Sequence, residues 1–126
     1  MTEHWQAGAM TRNLPWLCEL VPDTFVEISK SLAAKKGITH GSKVEVSSAR
    51  GKMTAYAVVT DRIKALNLNG STYEQVGIVW HFGYSGLATG DSANCLTPHI
   101  GDANTMIPEY KAFLCDIRRL KEVQND

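Results

Sequence analysis

The most regular alternation of apolar and polar side chains runs from Lys52 to Thr60, where Met53, Ala55, Ala57 and Val59 interleave with Lys52, Thr54, Tyr56 and Val58. A period of two puts the first set on one face of a strand. Lys43 to Ser48 carries the same signal in Val44 and Val46, and Arg50-Gly51 turns one run into the other, so the pair predicts a hairpin with one buried face. Upstream, Phe25 and Ile28 with polar neighbours predict a strand. Ser29 then supplies an N-cap for a short helix over Ser31 to Lys36, and Gly37 stands where a C-terminal cap is wanted. Basic residues close that helix and suit its dipole. Ala65 to Asn69 and Tyr73 to Trp80 predict two more strands, split at Asn69-Gly70, a tight-turn signal because both residues tolerate positive φ. A last strand is predicted over Ala112 to Ile117. Leu14 to Leu20 is apolar but is cut short by Pro22, which pushes the residue before it out of helical geometry, so a helix there is brief. Met1 to Arg12 has no amphipathic period and reads as irregular; the charged stretch Arg118 to Asp126 reads as a frayed tail.

Several short strands with few helices predict a mainly β domain, and a closed or nearly closed barrel rather than a sandwich, because closure removes exposed strand edges. Between Trp80 and Lys111 the pattern breaks into a long polar stretch holding six glycines or prolines from Gly83 to Pro108. A loop of that length is uncommon in a small domain unless it binds something.

Composition narrows the function classes. The 126 residues, 44% of them apolar, suit one domain covering positions 1–126. Thirteen basic residues balance thirteen acidic ones, which disfavours nucleic acid as a partner, since binders of a polyanion carry a basic excess. No run approaches the roughly 18–20 apolar residues of a membrane span, so direct membrane insertion is not expected. Cys18, Cys95 and Cys115 are odd in number and far apart, and form neither a disulfide framework nor a CxxC knuckle. Cys115 alternates with apolar neighbours and reads as a buried strand position, while Cys95, in a polar loop, is the one worth a reactivity test. His4, His40, His81 and His99 lack the spacing that puts two imidazoles on one helix or strand face, so no metal site is assigned. There is no GxSxG elbow, P-loop or GxGxxG, and no catalytic residue is assigned.

Hydrogen-bonding groups and aromatics do interleave in two places. Thr2-Glu3-His4-Trp5-Gln6, followed by Gly8, Met10 and Thr11, offers carboxylate, amide and indole groups suited to the polar edge and flat face of a fused heterocycle. The same stretch also suits an arm that only caps the barrel. Trp80 to Gly86, continuing through Gly90-Asp91-Ser92-Ala93-Asn94, lets backbone approach a ligand closely, with Asp91 or Ser92 capping a short turn. An aromatic plug with an ordinary capped turn has the same residues. Lys111 is either a solvated flank or a cation for a phosphate or a heterocycle carbonyl.

Thr2-Glu3-His4-Trp5, Gly8, Met10-Thr11-Arg12, Gly37-Ile38, Gly41, Lys43-Val44 and Ser47 to Gly51 resemble the C-terminal dinucleotide-binding domain of molybdopterin oxidoreductases. Trp80-His81, Gly83 to Gly86, Gly90 to Asn94, Leu96-Thr97-Pro98, Asn104 to Glu109 and Lys111-Ala112-Phe113 narrow the resemblance to formate dehydrogenase alpha (major) subunits. It covers nearly the whole chain. It implies a double-psi β-barrel of the aspartate-decarboxylase-like type with short helices. It also implies an oxidoreductase that oxidises formate to CO2 by two-electron transfer, using bis-molybdopterin guanine dinucleotide (bis-MGD) carrying molybdenum or tungsten. By the same resemblance the cofactor is held by Thr2, Glu3, His4, Trp5, Gln6, Ala7, Met10 and Thr11, with His81 on the pterin or substrate side and Asn94 and Lys111 as further contacts. The chain departs from the family at Gln6 and Ala7, where His and Thr are frequent.

The family's metal-ligating selenocysteine or cysteine, catalytic His and Arg, and iron-sulfur cysteines all fall upstream of the matched region, and none of the three cysteines matches the metal ligand. The resemblance therefore reads the chain as a C-terminal piece of a larger polypeptide, excised or separately encoded and inactive alone. Its implied partners are the remaining domains of the alpha subunit and an iron-sulfur electron-transfer subunit. A sister enzyme of the nitrate reductase type, a stand-alone nucleotide- or pterin-binding module, and a barrel without ligand are the competing readings.

Overall fold

The computed structural model describes residues 8–80, 82, 83, 86–88 and 90–121. The first element lying wholly within the described residues is a 3-10 turn over Thr11–Asn13, followed by α1 (Pro15–Leu20), which starts with proline at its first position and ends before Pro22. Next come β1 (Phe25–Ser29), α2 (Lys30–Lys36), β2 (Lys43–Ser47), β3 (Lys52–Thr60), β4 (Leu66–Leu68), β5 (Ser71–Tyr73), β6 (Val76–Ile78) and β7 (Asp116–Arg119). Five strands form a mixed sheet in the order β6-β1-β3-β2-β7, in which β1 and β3 run parallel and every other pair is antiparallel. The hairpin β4-β5 stands apart as a second sheet.

The expected caps of α2 are present. Ser29 Oγ accepts the Leu32 N–H at 3.0 Å, and Gly37 takes the left-handed conformation at φ 62° that closes the helix. Period-two patterning sets the core: Val44 and Val46 of β2 and Met53, Ala55 and Ala57 of β3 are buried with Val26 and Ile28 of β1, under Leu32 and Ala33 of α2. Leu96 and Ile117 complete this cluster from distant positions. On the opposite face of β1, Phe25 packs against a second cluster of Cys18, Val79, Phe82 and Ala88. Glu27, also on that face and 4% exposed, is neutralised by an ion pair with Arg62.

Three expectations change. The run Tyr73 to Trp80 is two elements, because Glu74 turns away to α2. Its carboxylate accepts Ser29 Oγ at 3.0 Å, Ser31 Oγ at 3.1 Å and Lys35 Nζ at 2.6 Å, and these bonds, Lys35 first, hold it below the usual glutamate range. The last strand is Asp116–Arg119 rather than Ala112 to Ile117, because its partner β2 ends at Ser47, opposite Asp116. Phe113 and Cys115 still pack on the core, without ladder bonds to β2. Consequently Arg118 and Arg119 are strand, not tail: Arg118 Nε donates to Glu45 Oε1 at 2.9 Å, and the Leu120 N–H reaches the Lys43 carbonyl at 3.0 Å.

The structure is mainly β with short helices, but among the described residues no ladder joins the edge strands β6 and β7, so the sheet is not a closed barrel. The gap between those edges is a cleft of about 660 Å³ lined by Val76 and Ile78 on one side and Asp116 and Ile117 on the other. Part of the long polar stretch is tied by local bonds. Asp102 Oδ1 accepts the N–H groups of Asn104 and Thr105 and the Thr105 hydroxyl, and Gly101 bridges Pro108. Among the described residues no helix is long and apolar enough to cross a membrane.

Candidate functional site

Residues 8–12, at the end of the first polar and aromatic stretch, meet the second in space. Gly8, at φ 94°, lies so close to the segment after β6 that a Cβ there would stand 2.9 Å from Phe82 and Val79. Arg12 Nη1 donates to the Gly83 carbonyl at 3.3 Å across 71 positions of chain. The Arg12 carbonyl in turn accepts the N–H groups of Leu87 at 2.9 Å and Ala88 at 3.3 Å. Residues 8–12 and the glycine-containing loop are thus stitched together by the Arg12 guanidinium at one end and by backbone groups at Leu87 and Ala88.

The far end of that loop is fastened to the β2-β3 hairpin. The Leu96 carbonyl accepts Ser48 Oγ at 2.8 Å and Arg50 Nη2 at 3.1 Å, while Asp91 Oδ2 accepts both the backbone N–H and the hydroxyl of Thr54. Of the two expected caps, Ser92 is the one used: its hydroxyl accepts the Asn94 N–H at 3.4 Å, starting a 3-10 turn over Ala93–Cys95. The loop therefore holds Asn94 exposed, beside buried Ala93, which lines the cleft.

The cleft combines flat apolar surface with positive charge. Trp80 stacks on Tyr110 with ring centroids 4.5 Å apart and planes 27° from parallel, and Arg50 lies 5.7 Å from the centre of the Phe113 ring. Three lysines line it. Lys35 pairs with Glu74 and Lys36 with Asp116, each at 2.6 Å, whereas Lys111 makes no ion pair among the described residues. An exposed ammonium beside a stacked aromatic pair is matched to a ligand with a planar ring system and anionic groups. A volume of about 660 Å³ also suits a large part of such a ligand.

Of the site residues expected from sequence, Lys111 lines this cleft, Asn94 follows a cleft-lining residue, and Met10 is about half exposed on the N-terminal segment. Thr11 is 1% exposed, and its carbonyl accepts the Cys18 thiol at 3.2 Å. Thr2, Glu3, His4, Trp5, Gln6, Ala7 and His81 lie outside the described residues. Sequence reasoning missed Tyr110 and Phe113 as cleft residues, and Arg50 as the cation over the Phe113 ring. The signal available was composition alone, since Trp80 and Tyr110 come together only through the fold. Among the described residues no three His, Cys, Asp or Glu side chains converge as metal ligands.

The cysteines differ in access. Cys95 is exposed, Cys18 is buried, and burial, with a smaller contribution from Asp116, raises the Cys115 thiol above its ordinary value. Under native conditions near neutral pH, iodoacetamide is expected to label Cys95 well before Cys115, with Cys18 last. Peptide mass mapping over time checks the order; faster labelling of Cys115 than Cys95 would contradict this packing.

Known proteins extend the picture. Residues 1–114 match the family model described as "Molydopterin dinucleotide binding domain". The chain is 50% identical over 120 residues to the formate dehydrogenase subunit alpha of Megalodesulfovibrio gigas, and 50% identical over 120 residues to the nitrate-inducible formate dehydrogenase major subunit of Escherichia coli K12. Each alignment covers 94% of this chain but only 12% of the relative, so the chain spans about an eighth of the curated relatives it matches. Among solved structures, acetylene hydratase from Pelobacter acetylenicus matches with a TM-score of 0.66 over 95% of this chain and 17% of that one, at 12% identity, a likeness of fold alone.

Proposed function

Because the chain belongs to the molybdopterin dinucleotide-binding domain family, we propose that it clamps bis-MGD, with molybdenum or tungsten, within a formate dehydrogenase alpha subunit. The observation that carries this reading is Lys111, a cation without an ion pair among the described residues, at a cleft whose wall is the Trp80–Tyr110 stack. The aromatic faces suit a fused heterocycle, and the ammonium suits a phosphate or a ring carbonyl. Asn94 adds donor and acceptor groups from the neighbouring turn. When bound, the cofactor supplies the two-electron chemistry that takes formate to CO2, releasing one proton and two electrons. This domain binds and orients it, a division of labour common to cofactor enzymes.

The same reading gives Thr2 to Ala7, Met10 and Thr11 the role of a cofactor-holding segment, and puts His81 on the pterin or substrate side. Stitching of residues 8–12 to Phe82, Gly83, Leu87 and Ala88 supports it, because residues 8–12 directly follow Thr2 to Ala7 in sequence. The finer architecture we propose is of the double-psi barrel type, open between β6 and β7 among the described residues, for which the parallel β1-β3 pair within an otherwise antiparallel sheet is the supporting feature. The other domains of the alpha subunit would cover the cleft, and an iron-sulfur subunit would receive the electrons.

In the complete alpha subunit, Lys111→Ala is expected to lower the cofactor content of purified protein about tenfold or more, and Asn94→Ala somewhat less. The scale follows from hydrogen bonds to charged groups, about 1.5–3 kcal/mol each, against weaker neutral ones. Guanine nucleotide released on acid treatment, with metal content, reports the loss. Wild-type content in both variants would defeat the assignment.

A further inference from the structure

Asp91 has no part in the cleft chemistry above, yet it joins more of the loop to the sheet than any neighbouring side chain. On β3, the Thr54 N–H points away from β2 and toward the side where β1 lies, but β1 pairs with β3 only from Tyr56 onward. Asp91 takes the place of the absent strand. Its Oδ2 accepts the Thr54 N–H at 2.7 Å and the Thr54 hydroxyl at 3.0 Å. Its backbone carbonyl accepts Thr24 Oγ1 at 3.4 Å, and the same carbonyl abuts Gly83, where a Cβ would come within 2.6 Å. The next residue, Ser92, caps the turn that carries Asn94. One aspartate thus sets the separation of three pieces: the Gly83 segment tied to Arg12, the Ser92–Asn94 turn, and the edge of β3 that β1 does not reach.

We propose that Asp91 is a positioning residue for dinucleotide binding, fixing Gly83 and the Asn94 turn against β3 so that the loop meets the cofactor already in its bound geometry. The proposal rests on the cofactor-clamp reading above. Charge is part of the design, because a carboxylate accepting two donors on one oxygen binds them more strongly than a neutral amide oxygen does. A loop that must be ordered at binding costs affinity, so loosening it raises cofactor release even where no contact to the cofactor is removed.

The test uses the complete alpha subunit in three variants: Asp91→Ala, Asp91→Asn, and Val46→Ala as a control that damages the buried core without removing any Asp91 contact. Cofactor content, the rate of guanine nucleotide release on dilution, and the melting temperature are measured for each. Asp91→Ala is expected to hold at least threefold less cofactor than the Val46→Ala control at an equal or smaller loss of melting temperature. Asp91→Asn, which keeps an acceptor for the Thr54 N–H, is expected to fall between Asp91→Ala and wild type. Equal content in Asp91→Ala and the control would overturn the proposal, since a merely structural role lowers both alike. If Asp91→Ala does not accumulate, Asp91→Asn decides: faster release than wild type supports the proposal and wild-type release overturns it. A wild-type subunit holding no pterin dinucleotide would overturn the cofactor-clamp reading and this proposal with it, whereas normal loading in wild type and all variants overturns the role of Asp91 alone.

Discussion

Replacing Phe82 by Ala is expected to destabilise the domain by about 3–5 kcal/mol, the range for removing a buried aromatic ring. Phe82 is the largest of the fully buried side chains among the described residues, and it packs in a cluster with Cys18, Val79, Ala88 and Phe25. The cavity left behind has little means of collapsing. Gly8 lies so close that a Cβ there would stand 2.9 Å from the Phe82 nitrogen and Cβ, and the Arg12 bonds to Gly83, Leu87 and Ala88 hold the surrounding backbone in place. Denaturant unfolding of wild type and variant measures the difference, and Phe82→Leu, which keeps most of the volume, is expected to lose less. A loss below about 1 kcal/mol for Phe82→Ala would show that the site can repack, contrary to the close contacts seen. Because this cluster joins the N-terminal segment to the loop, the variant in the complete subunit is also expected to shed cofactor. That places a packing defect and a functional defect at one residue.

The second large effect is expected at Gly83. Its φ of 84° disfavours any side chain, and an added Cβ would stand 2.6 Å from the Asp91 carbonyl oxygen and 2.8 Å from Thr24 Oγ1. Left-handed strain contributes about 1–2 kcal/mol and overpacking about 1–3 kcal/mol more. Gly37 separates the two contributions. It also has positive φ, at 62°, but no atom lies within 4 Å of where its Cβ would be. Gly37→Ala is therefore expected to show the strain alone, and Gly83→Ala the strain with the clash. Comparable melting losses in the two variants would mean that the Gly83 segment moves aside without cost, and that the Asp91 contact does not hold it.

Much of this architecture was legible along the chain, for reasons tied to particular residues. Val44, Val46, Met53, Ala55 and Ala57 declare a hairpin because burial on one face enforces a period of two. Ser29 and Gly37 mark the ends of α2 because orphaned backbone groups at helix termini need a hydroxyl at one end and a left-handed residue at the other. Asn69 and Gly70, at φ 50° and 77°, make the predicted tight turn between β4 and β5. The errors arose where a side chain answers to a distant partner. Glu74 leaves its strand for Lys35 and two serines of the β1-α2 junction, and the ladder of β7 starts where β2 has a residue to offer.

The candidate site divides the same way. Local sequence determined which residues carry suitable chemistry: the indole of Trp80, the amide of Asn94, the ammonium of Lys111, and the family pattern that links them. Only the tertiary structure decided that Trp80 stacks on Tyr110, that Lys35 and Lys36 are neutralised while Lys111 pairs with no acid among the described residues, and that Asp91 braces β3. The physical reason is range. Strand alternation and helix caps are settled among residues within a few positions of each other, whereas ring stacking and charge pairing depend on which strand edges and loops pack side by side. That packing follows from burying two apolar clusters at once.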